Sequence, residues 1–396
     1  MRYIFLTVGL IIVLMAALAC ERRGSGGNQR ASDTGAILIG YYGDMSGRTS
    51  NFGQSTKNGA VMAVDELNRA GGIGGRQIQL LVEDDQGRPE QAATVVTKFI
   101  NQDRVHALLG EVASGNTLAA APKAQAARIP MVTPSSTADS VTEVGDYIFR
   151  VCYTDSFQGE AMAKFAANTL KARRAAILLD FNSPYSRGLT QVFKDNFTKL
   201  GGEVVTEQSY TQGDRDYKGQ LTTIRPFNPD VIFIPGYYGE VGVIAKQAKE
   251  LGITQPLLGT DGWDAPQLFE LGGAALNGSY MSNHYSVDDP APAIQKFVAA
   301  YKAYYGGAAP DALAALGYDA MNVLADAIRR AGTTDGPKLR EAIAQTTNFA
   351  GVTGTISINA QRNAIKPIVV LRLENGRYVY QETIQPQANA GGTAAL

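Results

Sequence analysis

The sequence predicts an α/β protein built from two doubly wound, Rossmann-like lobes. Short apolar runs alternate with helix-length segments, and the same alternation begins again near the middle of the chain. Such alternation is typical of parallel sheets with helices on both faces. The 396 residues, 45% of them hydrophobic, are enough for about two domains.

In the first half, four strand-like runs are interleaved with three helical segments. The runs are residues 37–41, 78–82, 107–109 and 129–132, and the helical segments follow Ser55, Pro89 and Gly115. Gly71 and Gly72 come after the first of these helices, where glycine readily adopts the left-handed conformation of a helix C-terminus.

The second half repeats this order. Its runs are residues 176–179, 204–206, 231–234 and 257–258, and helical segments follow Tyr185, Tyr217 and Glu240. Gly201 and Gly202 again follow the first helix. The remainder reads as helix over 292–331 and as strands over 354–382, with a hairpin at Asn375 and Gly376.

The N-terminus reads as an export signal. A charge-free run over 3–19 follows Arg2 and ends in Ala17, Leu18, Ala19 and Cys20, which resembles the cleavage box of bacterial lipoproteins. We expect residues 1–20 to be a lipoprotein signal peptide, Cys20 to carry the lipid, and 21–35 to be a flexible tether. An uncleaved membrane anchor is the alternative, and both interpretations place the rest of the chain outside the cytoplasm.

Composition and motifs argue against several functions. The formal net charge is −1 without long runs of one sign, so nucleic acid is a poor partner. A nucleophile elbow, a P-loop and a G-x-G-x-x-G turn after the first strand are absent. His106 and His284 have no metal-ligand spacing, and Asp84 and Asp85 read as turn and solvent residues. We therefore expect no catalysis, metal or cofactor.

The loops after the predicted strands are the place to look for a ligand, because open α/β sheets bind ligands at the carboxyl ends of their strands. In the first half these loops are residues 111–117 and 133–137, which are rich in hydroxyls and precede helices. Unpaired N–H groups at a helix N-terminus attract an anion such as a carboxylate. Ordinary helix capping by Ser and Thr explains the same residues, so both interpretations stay open.

The corresponding loops of the second half carry aromatic side chains and an acid: Tyr185, Tyr237, Tyr238 and Asp261. Aromatic faces beside a carboxylate suit an ammonium group on an apolar body. Each residue alone is also explained as core or turn. Together with the hydroxyl-rich loops, they complement a zwitterion that has a side chain.

Several linked motifs then resemble the periplasmic leucine/isoleucine/valine-binding proteins over residues 37–382. They are Gly43-Asp44-Met45-Ser46-Gly47, Phe52-Gly53, Asn58-Gly59-Ala60, Gly71 to Gly75, and the segments 110–117, 133–137, 236–240 and 259–262. The resemblance implies a type I periplasmic binding fold, in which two lobes joined by three crossovers close like a hinged trap. It implies lobes formed by 36–154 with 284–364 and by 155–283 with 365–384. The polar composition of the last residues predicts a disordered tail at 385–396.

By position, the resemblance also implies a ligand site. Ser114 and Thr137 would hold the ligand carboxylate, the Ser135 carbonyl would accept from its ammonium, and Asp261 would balance the charge. The side-chain pocket would be lined by Phe52, Tyr185, Tyr237 and Leu313.

Three departures from the family's pattern bear on which ligand is bound more than on the chemical class of the ligand. Asp261 stands where the best-known members have glutamate, so its carboxylate is one methylene shorter. Leu313 stands where an aromatic is frequent. Gly87 and Ala113 stand where those members carry a disulfide, and both cysteines are missing together.

The sequence thus predicts a membrane-anchored, extracytoplasmic carrier of an ABC importer that passes a branched-chain or similar apolar amino acid to a permease in the cytoplasmic membrane. A sensory component is an alternative, as is a carrier for amides, urea or aromatic acids.

Overall fold

A computed structural model describes residues 35–386. Cys20, the signal peptide, nearly all of the tether and the tail from residue 387 onward lie outside these residues. Among the helices of residues 35–386, none combines the length and the apolar character needed to cross a membrane.

Strands and helices alternate through most of the described chain. In chain order the strands are β1 (Ile37–Gly43), β2 (Ile78–Asp84), β3 (Ala107–Leu109), β4 (Met131–Thr133), β5 (Ile148–Arg150), β6 (Arg174–Asp180), β7 (Glu203–Tyr210), β8 (Val231–Phe233), β9 (Leu257–Gly259), β10 (Ser279–Asn283), β11 (Phe349–Gly351), β12 (Gly354–Ile358), β13 (Ala364–Ile365), β14 (Ile368–Glu374) and β15 (Arg377–Ile384). The α-helices are α1 (Ser50–Arg69), α2 (Pro89–Lys98), α3 (Ser114–Ala127), α4 (Ser140–Glu143), α5 (Asp155–Lys164), α6 (Pro184–Lys199), α7 (Lys218–Ile224), α8 (Tyr238–Glu250), α9 (Pro266–Gly272), α10 (Pro292–Tyr304), α11 (Ala312–Ala331) and α12 (Gly336–Ala344).

Two large sheets organise these elements. The first has the order β2-β1-β3-β4-β5 and is parallel throughout. The second has the order β15-β14-β10-β9-β8-β6-β7; β14 is antiparallel to both β10 and β15, and the other neighbouring pairs are parallel. The predicted α/β class with parallel sheets is therefore confirmed, and we call each sheet with the helices packed on it a lobe.

The chain passes between the two lobes in three short segments. They are residues 151–154 between β5 and α5, residues 284–291 between β10 and α10, and residues 366–367 between β13 and β14. We call them the first, second and third connections. The small antiparallel sheet β11-β12-β13 directly precedes the third.

Helices α1 and α11 pack closely in the first lobe, because glycine stands where they meet. A Cβ on Gly59 would lie 1.8 Å from the Ala314 carbonyl oxygen, and a Cβ on Gly317 would lie 2.2 Å from the Thr56 carbonyl oxygen. This approach brings Phe52 in the first turn of α1 near Leu313 in the first turn of α11. Both side chains are buried and face the other lobe.

The predicted strand-like runs all overlap observed strands, although residues 129–130 and 234 lie outside them. Asn375 and Gly376, both with positive φ, form the expected hairpin. Sequence reasoning missed β5, β10 and α5. β5 has only three residues and ends in the buried Arg150. In β10, the polar residues Ser279, Ser282 and Asn283 are buried. Neither strand therefore shows the apolar run by which the other strands were identified.

Candidate ligand-binding site

The carboxyl ends of the strands of both sheets face one cleft. The first lobe contributes the loops that follow β3 and β4, and the second lobe contributes those that follow β6, β8 and β9. This placement follows from the topology, because a doubly wound sheet has a crevice outside the carboxyl ends of its strands, at the point where the strand order reverses.

A small cavity lies between the two sets of loops, and the volume open to the centres of water-sized spheres is about 10 Å³. Six residues singled out from the sequence line it: Phe52, Ser135, Tyr185, Tyr237, Asp261 and Leu313. Val112 and Gly262, which had not been singled out, complete the lining. A volume of about 10 Å³ has room for about one water molecule, so a larger ligand can enter only when the two sets of loops move apart.

Aromatic rings form the apolar wall of the cavity. The rings of Tyr185 and Tyr237 stack with centroids 5.2 Å apart, and Phe52 meets Tyr237 edge to face at 5.6 Å. The last contact joins the two lobes, since Phe52 belongs to α1 and Tyr237 precedes α8.

Asp261 is the one acid of the cavity lining, and it is only 6% exposed. Its Oδ1 accepts hydrogen bonds from Gln158 Nε2 at 2.8 Å and from the Tyr185 hydroxyl at 2.7 Å. Its Oδ2 lies 3.1 Å from His284 Nε2. A carboxylate offers about two acceptor positions per oxygen, so Oδ2 retains one for a further donor.

Every group that holds Asp261 is uncharged at neutral pH. Burial lowers the pKa of His284 to about 4, although its hydrogen bond to Asp261 acts in the opposite direction. His284 is therefore the neutral imidazole and donates from Nε2. A buried carboxylate without a cation is costly, so the cavity favours a ligand that brings a positive charge.

A second buried acid, Asp155, lies close enough to interact electrostatically with Asp261. It begins α5 and is 1% exposed, and both of its carboxylate oxygens are buried without a hydrogen-bond partner. Burial, followed by the charge of Asp261, raises its pKa well above the usual range. The raised pKa favours the neutral acid, so Asp261 remains the carboxylate that offers its charge to a ligand.

The two remaining predicted residues, Ser114 and Thr137, lie beside the cavity and not among its lining residues. Ser114 Oγ accepts a hydrogen bond from the backbone N–H of Ala138 at 3.2 Å, so it joins the two hydroxyl-rich loops. Thr137 Oγ1 is buried without a partner. A hydrogen bond between the two loops, and not helix capping, therefore accounts for the Ser114 hydroxyl in this state, whereas the Thr137 hydroxyl lies near the Asp155 carboxyl group.

Arg150 holds the second of these loops in place. Its side chain is fully buried, and its guanidinium donates to the carbonyl oxygens of Ser136 at 2.9 Å and Ala138 at 2.8 Å. These bonds flank Thr137 on both sides. Sequence reasoning missed Arg150 because an arginine at the end of a short strand gives no signal of burial.

The lobes touch across the cleft outside the cavity. The Tyr238 hydroxyl in α8 donates to the Arg48 carbonyl oxygen at 3.0 Å and accepts from Asn51 Nδ2 at 3.2 Å. The structure thus shows a closed cleft. Its mouth is lined by Gly87 and Ala113 and by Tyr237, which it shares with the cavity.

The expectation that Asp84 and Asp85 are turn and solvent residues is wrong for Asp85, which is fully buried. Burial, followed by the charges of Asp44 and Asp84, raises its pKa to about 7. The buried Glu111 nearby also has a raised pKa, from burial and from Asp85.

In residues 35–386, no group of three or more potential ligands is arranged to hold a metal ion.

Gln158, His284 and Asp155 were also missed as site residues. All three lie in or next to the connections between the lobes, far in sequence from Asp261. The segment 155–158 follows no strand that the sequence revealed, and His284 was considered as a metal ligand and as the limit of a lobe but not as a partner of Asp261. Their role depends on a tertiary contact that no local pattern shows.

Comparison with known proteins agrees with this geometry. Residues 36–377 match the family described as Periplasmic binding protein. The Leucine binding protein LivK from Thermotoga maritima is 40% identical, with a TM-score of 0.84 over 89% of this chain and 99% of that one.

Two further solved structures show different ligands. The branched-chain amino acid transporter substrate binding protein LivJ from Streptococcus pneumoniae, in complex with isoleucine, is 33% identical, with a TM-score of 0.84 over 89% of this chain and 100% of that one. A solute binding protein of an ABC transporter from R. palustris, in complex with benzoate, is 25% identical, with a TM-score of 0.80 over 89% and 99%.

Proposed function

Since the chain belongs to the periplasmic binding protein family, as its match over residues 36–377 shows, we propose that it captures an apolar amino acid for an ABC importer. The resemblance drawn from the sequence is thereby confirmed, and so is the type I fold. Members of this family bind substrates and do not transform them, so the proposal contains no catalytic step.

The observation that carries the proposal is the environment of Asp261. A buried carboxylate receives hydrogen bonds only from uncharged groups and faces a small cavity with aromatic walls. An ammonium group on an apolar amino acid supplies the missing positive charge, and the aliphatic side chain fills the space between Phe52, Tyr237 and Leu313. The isoleucine complex of the Streptococcus pneumoniae relative supports the same class of ligand.

In this proposal the ligand bridges the lobes. Its ammonium contacts Asp261 and the Ser135 carbonyl oxygen, and its carboxylate contacts Thr137 Oγ1, Ser114 and the free N–H groups at the N-terminus of α3. Shifting the lobes from 1:99 to 99:1 closed needs about 5.5 kcal/mol of differential binding. A micromolar ligand has about 8 kcal/mol in total, so these contacts are sufficient.

The lobes that close in this proposal are residues 36–154 with 284–364 and residues 155–283 with 365–384. Their limits fall at the three connections between the sheets. Closure turns about these connections, where only a few residues join the two halves.

Aromatic acids are the main competing ligands, because the R. palustris relative is described with benzoate. Benzoate has no positive charge, so it would leave Asp261 uncompensated and place a second anion near it. The electrostatics of this cavity therefore favour an amino acid. Urea and small amides likewise lack a positive charge for Asp261. A sensory role would need a separate signalling protein as a partner.

The test is calorimetric titration of the purified protein with L-leucine, L-isoleucine and L-valine, alongside three analogues. 4-Methylpentanoate lacks the ammonium of leucine, 3-methylbutylamine lacks its carboxylate, and benzoate represents the aromatic acids. We expect leucine-like amino acids to bind best and 4-methylpentanoate to bind at least about 30-fold more weakly. Tighter binding of benzoate or 4-methylpentanoate would overturn the proposed ligand class.

We further propose that Cys20 anchors the protein by a lipid at the periplasmic or outer cell surface, where the loaded form meets its permease. The cleavage box before Cys20 supports this. Intact-mass analysis of the membrane fraction should show a chain that begins at Cys20 with a diacylglyceryl group. A chain that retains Met1 would instead support the uncleaved anchor.

A further inference from the structure

His284 contacts Asp261 from the second connection between the lobes. It directly follows β10, its side chain is 1% exposed, and its Nε2 lies 3.1 Å from Asp261 Oδ2. The other ring nitrogen, Nδ1, is buried without a hydrogen-bond partner. The single polar contact of this ring is therefore directed at the acid of the cavity.

The orientation of the His284 ring is set by the first connection. Tyr153 stacks on it with ring centroids 3.9 Å apart and an interplanar angle of 15°. Tyr153 is 1% exposed, and its hydroxyl also has no partner, so packing and not hydrogen bonding holds the pair. A rotation of the imidazole would break this stack and move Nε2 away from Asp261.

The third connection contributes Lys366, which is 2% exposed and interacts electrostatically with His284. All three connections therefore act on one ring. The ionisable groups that face it are Asp261, Lys366 and Tyr153, while Asp155 acts on Asp261. A movement of the connections that displaces the His284 ring also changes the hydrogen bond that Asp261 accepts from it.

We propose that His284 is a positioning residue, which orients the Asp261 carboxylate toward the ligand and links that carboxylate to the connections about which the lobes close. The identity of the ligand group that Asp261 meets rests on the proposed function. The contact between His284 and Asp261 and its link to Tyr153 do not depend on it.

The uncharged state of the ring matters for this role. A protonated His284 would form an ion pair with Asp261 and compete with the ligand ammonium. Burial lowers the pKa of His284 to about 4, so the ring donates a hydrogen bond and leaves the negative charge of Asp261 for the ligand. Ligand affinity should therefore be constant from about pH 5.5 to 8, with no change near the ordinary histidine pKa of about 6.5.

Two variants separate the donor from the packing. His284→Phe keeps a planar ring to stack on Tyr153 and removes the donor, whereas His284→Gln keeps an N–H near the position of Nε2. We expect His284→Phe to weaken L-leucine binding about tenfold to a hundredfold, and His284→Gln to recover part of this loss, with melting temperatures near that of the wild type. Equal losses of affinity and melting temperature in both variants would indicate a merely structural role.

Nitrogen NMR of the imidazoles tests the contact directly, because the chain has only two histidines. The spectrum of His284→Gln identifies the signals of His284 in the full-length protein. We expect a neutral Nε2–H tautomer from pH 5.5 to 8, a shift of its signal on adding L-leucine, and a shift in Asp261→Asn. Titration near pH 6.5, or an Nδ1–H tautomer, would overturn the proposal.

The two proposals fail in distinguishable ways. If no amino acid binds, the proposed function is wrong, yet the Nε2–H tautomer and its dependence on Asp261 remain measurable in the free protein. If L-leucine binds but leaves the His284 signal unchanged, the proposed function stands and the positioning role is wrong.

Discussion

Replacing Asp261 by asparagine should separate binding from stability. The change keeps the size of the side chain and removes the only charge that the cavity lining offers to an ammonium. Truncating one partner of a buried charge pair costs about 2–5 kcal/mol of binding free energy. At 1.4 kcal/mol for each factor of ten, L-leucine should bind from about 30-fold to more than 1,000-fold more weakly.

The free protein should change much less. In Asp261→Asn, the new amide would leave at least one of the donors from Gln158, Tyr185 and His284 unpaired, at a cost of about 1–3 kcal/mol. The same change removes a buried charge that no cation compensates, which acts in the opposite direction. We therefore expect the melting temperature to stay within about 5 °C of the wild type.

Calorimetric titration and thermal melting measure the two quantities. Asp180→Asn is the matched control, because Asp180 lies in the same lobe as Asp261, is 5% exposed and accepts from the Asn182 N–H at 3.0 Å, but does not line the cavity. It should leave the affinity for L-leucine unchanged. If Asp261→Asn bound L-leucine within threefold of the wild type, the assignment of Asp261 to the ammonium would be refuted.

Three further predictions concern residues around the cavity. Arg150→Met removes the donors to the carbonyls of Ser136 and Ala138, so the free energy of unfolding should fall by about 3 kcal/mol and the affinity for L-leucine should decrease. Unchanged affinity in a folded variant would mean that the loop keeps its shape without Arg150. Tyr238→Phe removes the two hydrogen bonds that its hydroxyl makes across the cleft, so L-leucine should bind about fivefold more weakly, and small-angle scattering should show a more open free protein. An identical scattering curve and affinity would argue against a role of Tyr238 in closure. Asp85 has its pKa raised by burial to about 7, above the unfolded value of about 3.9, so the native state binds more protons and stability should fall as pH rises from about 4 to 7. Asp85→Asn should flatten this dependence by up to about 4 kcal/mol in chemical unfolding, whereas an unchanged pH profile would place the titration elsewhere.

The order of strands and helices could be predicted because each apolar run reports burial locally. Residues 37–41 and 231–234 are apolar on both faces, as a central parallel strand requires, and both overlap strands of the structure. β10 could not be found in this way. Ser282 and Asn283 in it are buried against polar groups of the connections, so the strand lacks the apolar pattern.

Six of the eight predicted site residues lie around one cavity. Ser135, Tyr185, Tyr237 and Asp261 could be found because strand ends converge in a parallel sheet, whereas Phe52 and Leu313, which lie in helices, were implied only by the family resemblance. Asp85 shows the limit of the same reasoning. Alternation along an extended chain predicted that Asp84 and Asp85 point to opposite sides, yet which side is solvent depends on the packing of Asp44 and Glu111 against Asp85.

The sequence by itself determined the class of the fold, the family and the loops in which a ligand site could lie, because periodicity and linked motifs are local and survive in one dimension. Only the tertiary structure decided what surrounds Asp261. Gln158 in α5 and His284 in the second connection stand 103 and 23 residues away along the chain, and only packing brings them to the carboxylate. The charge that Asp261 offers to a ligand depends on burial and on neutral partners, and both arise only when distant segments pack together.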